Sequence, residues 1–195
     1  MADQTFTSGQ ILTAAQMSTL QTDIGLAQIT PSSVTNATLV GGVATVGTAV
    51  SPVTISGVFS SLFDNYRIVL SGIDASSAND GLNFILSGSG AGFYKYVSNF
   101  YLYTTGASAS FNSSGANFFF TGLTGSNNDT QVVIDLFNPF KTERTGITAQ
   151  SSGGAYMGSM GGQTTDSNSS TGFQFKGDGT TLTGGICVVY GYRKA

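Results

Sequence analysis

Short segments in which apolar and polar side chains alternate, separated by loops of Gly, Ser, Asn and Asp, dominate the chain from residue 51 onward. Such alternation is typical of β-strands that bury one face, because successive side chains of a strand point to opposite sides. The clearest alternating runs are residues 66–70, 82–86, 131–136 and 173–176. Further strand-like runs lie at 53–59, 93–103, 117–121, 146–150 and 185–192. Turn signals such as Asn79-Asp80-Gly81 separate the runs.

This pattern predicts about nine or ten short strands with no helices between them. We therefore expect a mainly β protein, an antiparallel β-sandwich with jelly-roll-like connectivity. The face opposite the expected core is itself partly apolar, so we also expect it to be buried against another subunit. The apolar residues assigned to that second face are Val69, Ile85, Val133 and Val189.

The N-terminal region has a different pattern, which predicts one short helix over residues 13–28. Thr13 and Gln16 have the spacing of a capping box, in which each side chain bonds the other residue's backbone N–H. The apolar stripe that follows is Met17, Leu20, Ile24 and Ala27. A stripe this narrow does not stabilise an isolated helix, so the helix needs a partner. That partner is either the body of the same chain, or sister chains and a larger assembly. We assign attachment or oligomerisation to Leu12, Met17, Leu20 and Ile24.

Residues 30–52 contain no charged side chain and carry isolated Val and Leu among small residues. Exposed flexible linkers are usually more polar, so this segment is interpreted as an extended arm or a weak first strand. The expected organisation is an N-terminal attachment arm over residues 1–50 and a β-sandwich domain over 51–195. The opening residues, MADQTFTSGQ, lack the basic and apolar regions of a secretory signal, so we expect synthesis in a cytoplasm. No apolar run reaches the roughly 18–20 residues that span a bilayer.

Composition excludes several classes of chemistry. The chain has no histidine, which removes Ser-His-Asp and Cys-His catalysis and every His-bearing metal site. Its ten acidic residues are well separated, so no catalytic carboxylate pair can be assigned. We expect a non-enzymatic protein without cofactors. Seven scattered basic residues and a net charge of −3 argue against nucleic-acid binding. The single cysteine, Cys187, lies in an apolar segment and is predicted to be a buried, inert thiol.

Tyrosines are concentrated in residues 93–103. Tyr94 and Tyr96 share one face of the expected strand, and Tyr101 and Tyr103 share a face as well. Tyrosine pairs can stack on sugar rings and hydrogen-bond their hydroxyl groups, which makes all four candidates for glycan binding. The alternative is that one face belongs to the core and the other to a subunit interface.

Three segments resemble virion proteins of tailed bacteriophages. Residues 7–21, TSGQILTAAQMSTLQ, are similar to the opening of many such proteins, with Ser18 standing where Asn is common. Residues 59–70, FSSLFDNYRIVL, resemble the early strands of a phage β-sandwich module, and residues 185–194, GICVVYGYRK, resemble its last strand. Members of this class include tail fibres, head fibres or knobs, and capsid decoration proteins.

The resemblance implies an N-terminal arm attached to the particle and an exposed β-domain, often as a trimer. We therefore expect a non-enzymatic structural protein on the virion surface, a decoration, knob or short-fibre subunit that contacts other capsid or tail proteins. The alternative is a tail-fibre module that binds a receptor or carbohydrate, with the tyrosine pairs contacting a host surface glycan.

Overall fold

The computed structural model of the protein describes residues 25–77, 79–125 and 130–192. These residues form sixteen β-strands. The first eight are β1 Leu26–Ile29, β2 Ser33–Thr35, β3 Ala37–Val40, β4 Val43–Val46, β5 Val53–Ser56, β6 Asn65–Ala75, β7 Gly81–Leu86 and β8 Tyr94–Leu102. The others are β9 Ser108–Ala116, β10 Phe119–Leu123, β11 Thr130–Phe137, β12 Gly146–Gly153, β13 Tyr156–Thr164, β14 Phe173–Gly177, β15 Leu182–Thr183 and β16 Ile186–Tyr192.

The strands form two antiparallel sheets that pack as a sandwich, which confirms the prediction of a mainly β, antiparallel sandwich. The larger sheet has eleven strands in the order β3-β4-β16-β6-β11-β12-β13-β8-β9, with β1 paired to β16 and β15 paired to β6. The smaller sheet has five strands in the order β10-β7-β14-β5-β2. Every strand pair is antiparallel.

The core lies between the two sheets and is built from the alternating positions of the predicted runs. β6 and β11 are paired so that Ile68 lies opposite Ile134, and both side chains are fully buried. The smaller sheet contributes aromatic rings, of which Phe84 and Phe173 stack with centroids 4.9 Å apart. Removing this apolar surface from water is the main term that stabilises a sandwich of this kind.

Residues 26–46 belong to the sandwich and correct the predicted organisation. β1 pairs with β16, β2 pairs with β5, and β3 and β4 extend the larger sheet. The boundary expected at residue 50 therefore falls inside the sandwich rather than between an arm and a domain. The predicted helix is wrong at residues 26–28, which are extended because they pair with the last strand. The rest of that helix lies outside the described residues.

The strand count and one side-chain assignment also differ from the prediction. β9, β13 and β15 were not predicted, and the segment before residue 50 was predicted to contain at most one weak strand. Val189 lies in the core, 1% exposed and opposite Ile68, and not on the outer face. The segment 186–190 is apolar at every position, so its own pattern cannot decide which side chains point inward. Val133, by contrast, is 37% exposed on the outer face.

A cluster at one end of the core joins the last strand to the loop before β6. The Tyr66 hydroxyl accepts a hydrogen bond from the Ser60 N–H and donates one to the Ser60 carbonyl, both at 2.8 Å. Phe63 packs against Tyr66, with ring centroids 6.0 Å apart, and covers Gly191. A Cβ atom at Gly191 would lie within 2.6 Å of atoms of the Phe63 ring, so only glycine fits beneath it.

We predict that Gly191→Ala destabilises the protein, because the added methyl group displaces Phe63 from the core. The expected loss is about 1–3 kcal/mol of unfolding free energy, the usual cost of overpacking. The matched control is Gly161→Ala, since a Cβ there meets no atom within 4 Å and Gly161 also lies in the larger sheet. Urea unfolding of both variants measures the difference. Equal stability of the two variants would contradict the packing role of Gly191.

Candidate ligand-binding groove

A groove of about 470 Å³ runs across the outer face of the larger sheet. Two rows of paired residues form it, and residues paired across antiparallel strands present their side chains on the same face. The first row is Val69, Val133, Gln150 and Ser159 on β6, β11, β12 and β13. The second row is Gln131, Ser152, Met157 and Tyr101 on β11, β12, β13 and β8. Tyr103, just beyond the end of β8, also lines the groove.

The groove combines apolar, aromatic and uncharged polar groups. Tyr101, Tyr103 and Met157 are each about half exposed, at 49%, 56% and 52%. Gln131 and Gln150 are exposed, and their amide groups bond no other residue in the part of the chain that the structure describes. No side chain that lines the groove carries a formal charge. The surface can therefore pack against an apolar group and exchange hydrogen bonds with hydroxyl groups at the same time.

The four tyrosines predicted to bind glycans separate into two environments. Tyr101 and Tyr103 line the groove, as described above. Tyr94 is fully buried against Phe119, and its hydroxyl accepts a hydrogen bond from the Leu86 N–H at 3.0 Å. Burial raises the pKa of Tyr94. Its assignment to glycan binding is corrected, because its ring is part of the core.

Tyr96 belongs with Tyr94 rather than with the groove. It points to the inner side of β8, is partly buried and packs against the core. Burial also raises the pKa of its hydroxyl, followed in size by the charge of Asp178. The hydroxyls of Tyr94 and Tyr96 therefore do not take part in the groove, and two of the four predicted tyrosines contribute to this site.

Sequence reasoning missed the groove residues contributed by β12 and β13. Gln150 and Ser152 are polar positions on the outer face of β12, a run whose strand character was predicted only to residue 150. Met157 and Ser159 lie on β13, whose sequence YMGSMGGQT shows no regular alternation of apolar and polar side chains. The sequence signal for this face was the apolar character of Val69 and Val133, which were predicted to lie opposite the core.

Next to the groove, Arg67, Asp135 and Tyr192 form a polar cluster on the same outer face. Arg67 donates two hydrogen bonds of 2.8 Å to the two oxygens of Asp135, and Tyr192 donates one of 2.6 Å. The guanidinium carbon of Arg67 lies 5.6 Å from the centre of the Tyr192 ring. The hydrogen bonds from Arg67 lower the pKa of Asp135. Burial, followed by the bond to Asp135, raises the pKa of Tyr192 to about 12.

Other chemically reactive groups give no second site in the described residues. Cys187 is 2% exposed and burial raises the pKa of its thiol, which confirms the prediction of a buried cysteine. The residues that the structure describes contain no group of three or more acidic or cysteine side chains placed to hold a metal ion. Across the same residues, no helix has the length and apolarity needed to cross a membrane.

The predicted attachment residues Leu12, Met17, Leu20 and Ile24 lie outside the described residues. No protein-family model, no curated protein and no solved structure matches the chain. The expectation of a phage virion protein therefore rests on the three segments quoted above and stays a prediction.

We predict that Asp135→Asn lowers stability at neutral pH, because the ion pair with Arg67 is lost. The expected loss is about 1 kcal/mol, since both side chains are partly exposed to solvent. The folded-state pKa of Asp135 lies below its ordinary value of 3.8. The stabilisation is thus present above about pH 4 and disappears as the pH falls through the lowered pKa.

Urea midpoints at about pH 7 and about pH 2 measure this effect, and the difference between the wild type and the variant should be smaller at the lower pH. Glu143→Gln is the control, because that exposed carboxylate lies 3.9 Å from the Lys141 ammonium and its removal should change neither midpoint. A constant difference between wild type and Asp135→Asn at both pH values would contradict the prediction.

Proposed function

We propose that the protein is a non-enzymatic surface subunit of a tailed-phage virion, a decoration, knob or short-fibre protein. In this proposal residues 1–24 attach the subunit to the particle and the sandwich is exposed. Trimerisation and jelly-roll-like connectivity belong to the same proposal. Its first support is the resemblance of residues 7–21, 59–70 and 185–194 to virion proteins of this kind.

The observation that carries the proposal is the way two of these segments fit together. Residues 59–70 and 185–194 are more than a hundred positions apart, yet β6 and β16 are direct neighbours. Phe63 from the first segment covers Gly191 from the second, and Arg67 lies over the ring of Tyr192. The resembling residues thus meet in one structural unit, as expected if they mark a shared module rather than a chance match.

The pairing of β1 with β16 supports an attached subunit. Leu26 pairs with Tyr192, so the start of β1 and the end of β16 lie side by side in the larger sheet. β8, which carries Tyr101, is five strands away from β16 in the larger sheet. At the usual strand spacing this corresponds to about 24 Å along the sheet. A particle contact near Leu26 and Tyr192 would leave Tyr101 and Tyr103, at the far end of the groove, accessible.

Exposed apolar side chains on the outer face fit an assembly of several copies. Val97 and Phe137 are 53% and 41% exposed there, outside the groove. Large exposed apolar side chains that cluster on one face often mark contacts with other proteins. Contact with sister chains or with neighbouring virion proteins would remove these side chains from water.

The proposal predicts that the full chain is found on intact particles. The test is immunogold labelling of particles purified from a lysate of the phage that encodes the chain. We expect labelled particles, with a native mass of the isolated protein near three times the 20.0 kDa chain. Protein that is abundant in the lysate but never on particles would overturn the proposal.

Removal of residues 1–24 tests the attachment role and preserves β1, which begins at Leu26. We expect the truncated chain to fold but to be absent from particles. The matched control is the full chain with Tyr101→Ala and Tyr103→Ala, which keeps residues 1–24 and should label particles normally. Truncated protein that labels particles as well as the full chain would show that attachment lies elsewhere.

A further inference from the structure

We propose that the groove on the outer face of the larger sheet binds a neutral oligosaccharide, with Tyr101 and Tyr103 as the surface on which sugar rings stack. This inference goes beyond the proposed virion role and does not depend on it, because it concerns the binding chemistry of the sandwich itself.

The two tyrosines are presented on a fixed framework. Tyr101 lies within β8 and is paired with Met157 on one side and Ser108 on the other. The N–H of Tyr103 bonds the carbonyl of Ala155 at 3.0 Å, which holds the backbone of this residue against the start of β13. Tyrosine rings held in this way lose little conformational entropy on binding and offer the apolar C–H face of a sugar ring a flat surface.

The polar groups beside the tyrosines match sugar hydroxyls. Each hydroxyl of a sugar both donates and accepts hydrogen bonds, and so do the amides of Gln131 and Gln150. The hydroxyl groups of Ser152 and Ser159 line the same groove and have the same double capacity. A purely apolar partner would leave these groups without partners in a dry contact, at a cost in free energy.

The absence of charged side chains from the groove favours a neutral sugar. None of the lining side chains is ionised, so no cation is available to pair with a uronate or sialate carboxylate. The nearest charged pair on this face, Arg67 and Asp135, is internally neutralised by two hydrogen bonds. An acidic saccharide would have to give up water around its carboxylates without gaining an ion pair.

The extent of the groove favours a chain of sugars over a single one. It reaches from Val69 on β6 to Tyr101 on β8, across five neighbouring strands. This spans about 19 Å at the usual strand spacing, several times the width of one sugar ring. The volume of about 470 Å³ lies within the range of known small-molecule sites, roughly 300–1,000 Å³.

The test uses the full chain and a panel of soluble polysaccharides in affinity electrophoresis, followed by calorimetry. The neutral probes are dextran, laminarin, mannan and galactomannan, and the acidic probes are alginate and polysialic acid. We expect retardation by at least one neutral probe and none by the acidic probes. Failure of every neutral probe, or stronger binding to an acidic probe, would overturn the proposal.

Substitutions of groove residues test whether the sugar binds in the groove. We expect at least tenfold weaker binding of the neutral probe by the double variant Tyr101→Ala with Tyr103→Ala, and a smaller loss for Gln131→Ala with Gln150→Ala. Phe93→Ala is the matched control, because this aromatic side chain is 42% exposed but does not line the groove. Unchanged affinity of the tyrosine variant would place the sugar elsewhere and refute the proposal.

Two further readouts separate the possible failures. A wild-type chain that binds no sugar, combined with a lower native mass of the tyrosine variant, would identify the groove as a contact between copies of the chain. Particle labelling does not use the groove tyrosines in the proposed role, so loss of sugar binding with normal labelling would leave the virion proposal intact. The reverse result would leave the sugar site intact and remove the virion role.

Discussion

The pairing of β16 with β6 is the contact on which the rest of the structure depends. It places the last described strand in the interior of the larger sheet, with β4 and β1 on its other side. Because β1 and β4 pair with β16, these two strands have a sheet to join only when β16 is in place. The same pairing brings Gly191 beneath Phe63. A sandwich closed in this way gains most of its contacts between residues distant in sequence, and a fold dominated by such contacts forms slowly.

The two faces of the larger sheet differ in the side chains that they carry. The inner face of the larger sheet is filled by side chains such as Ile68 and Ile134, whereas its outer face has two neighbouring polar regions. Beside the end of β16, Arg67 and Tyr192 donate hydrogen bonds to Asp135, so these three polar side chains have partners within the cluster. Beyond them lies the groove, whose amide and hydroxyl groups face solvent. Attachment and ligand binding, the two roles proposed for the protein, would then use separate parts of one sheet.

The sequence predicted the parts of the fold in which each strand carries its own core residues. The runs around Ile68, Phe84, Ile134 and Phe173 all became central strands, since their alternation reports directly which face is buried. β13 was not predicted because glycine occupies inward-facing positions such as Gly158, where a side chain of the neighbouring strand fills the core instead. Phe100 of β8 lies opposite Gly158 of β13, and a Cβ at Gly158 would collide with its ring. A strand with glycine at such positions shows no regular alternation of apolar and polar side chains in its sequence.

The candidate site was predictable only in its tyrosines. Spacing alone placed Tyr101 and Tyr103 on one face and Tyr94 on the other, but which face is buried depends on the smaller sheet, where Phe119 packs against Tyr94. The glutamines and serines of the groove carry no sequence signal, because polar residues on a solvated strand face are ordinary. Only the pairing of five strands brings them together.

In the proposed assembly, the paired strands β1 and β16 contact the particle, while Tyr101 and Tyr103 face outward. A cryo-EM reconstruction of intact particles tests it most directly. We expect density for the sandwich to meet the particle at the paired strands β1 and β16, with Tyr101 and Tyr103 open to solvent. Density in which the groove is covered by the particle or by a sister copy would contradict it.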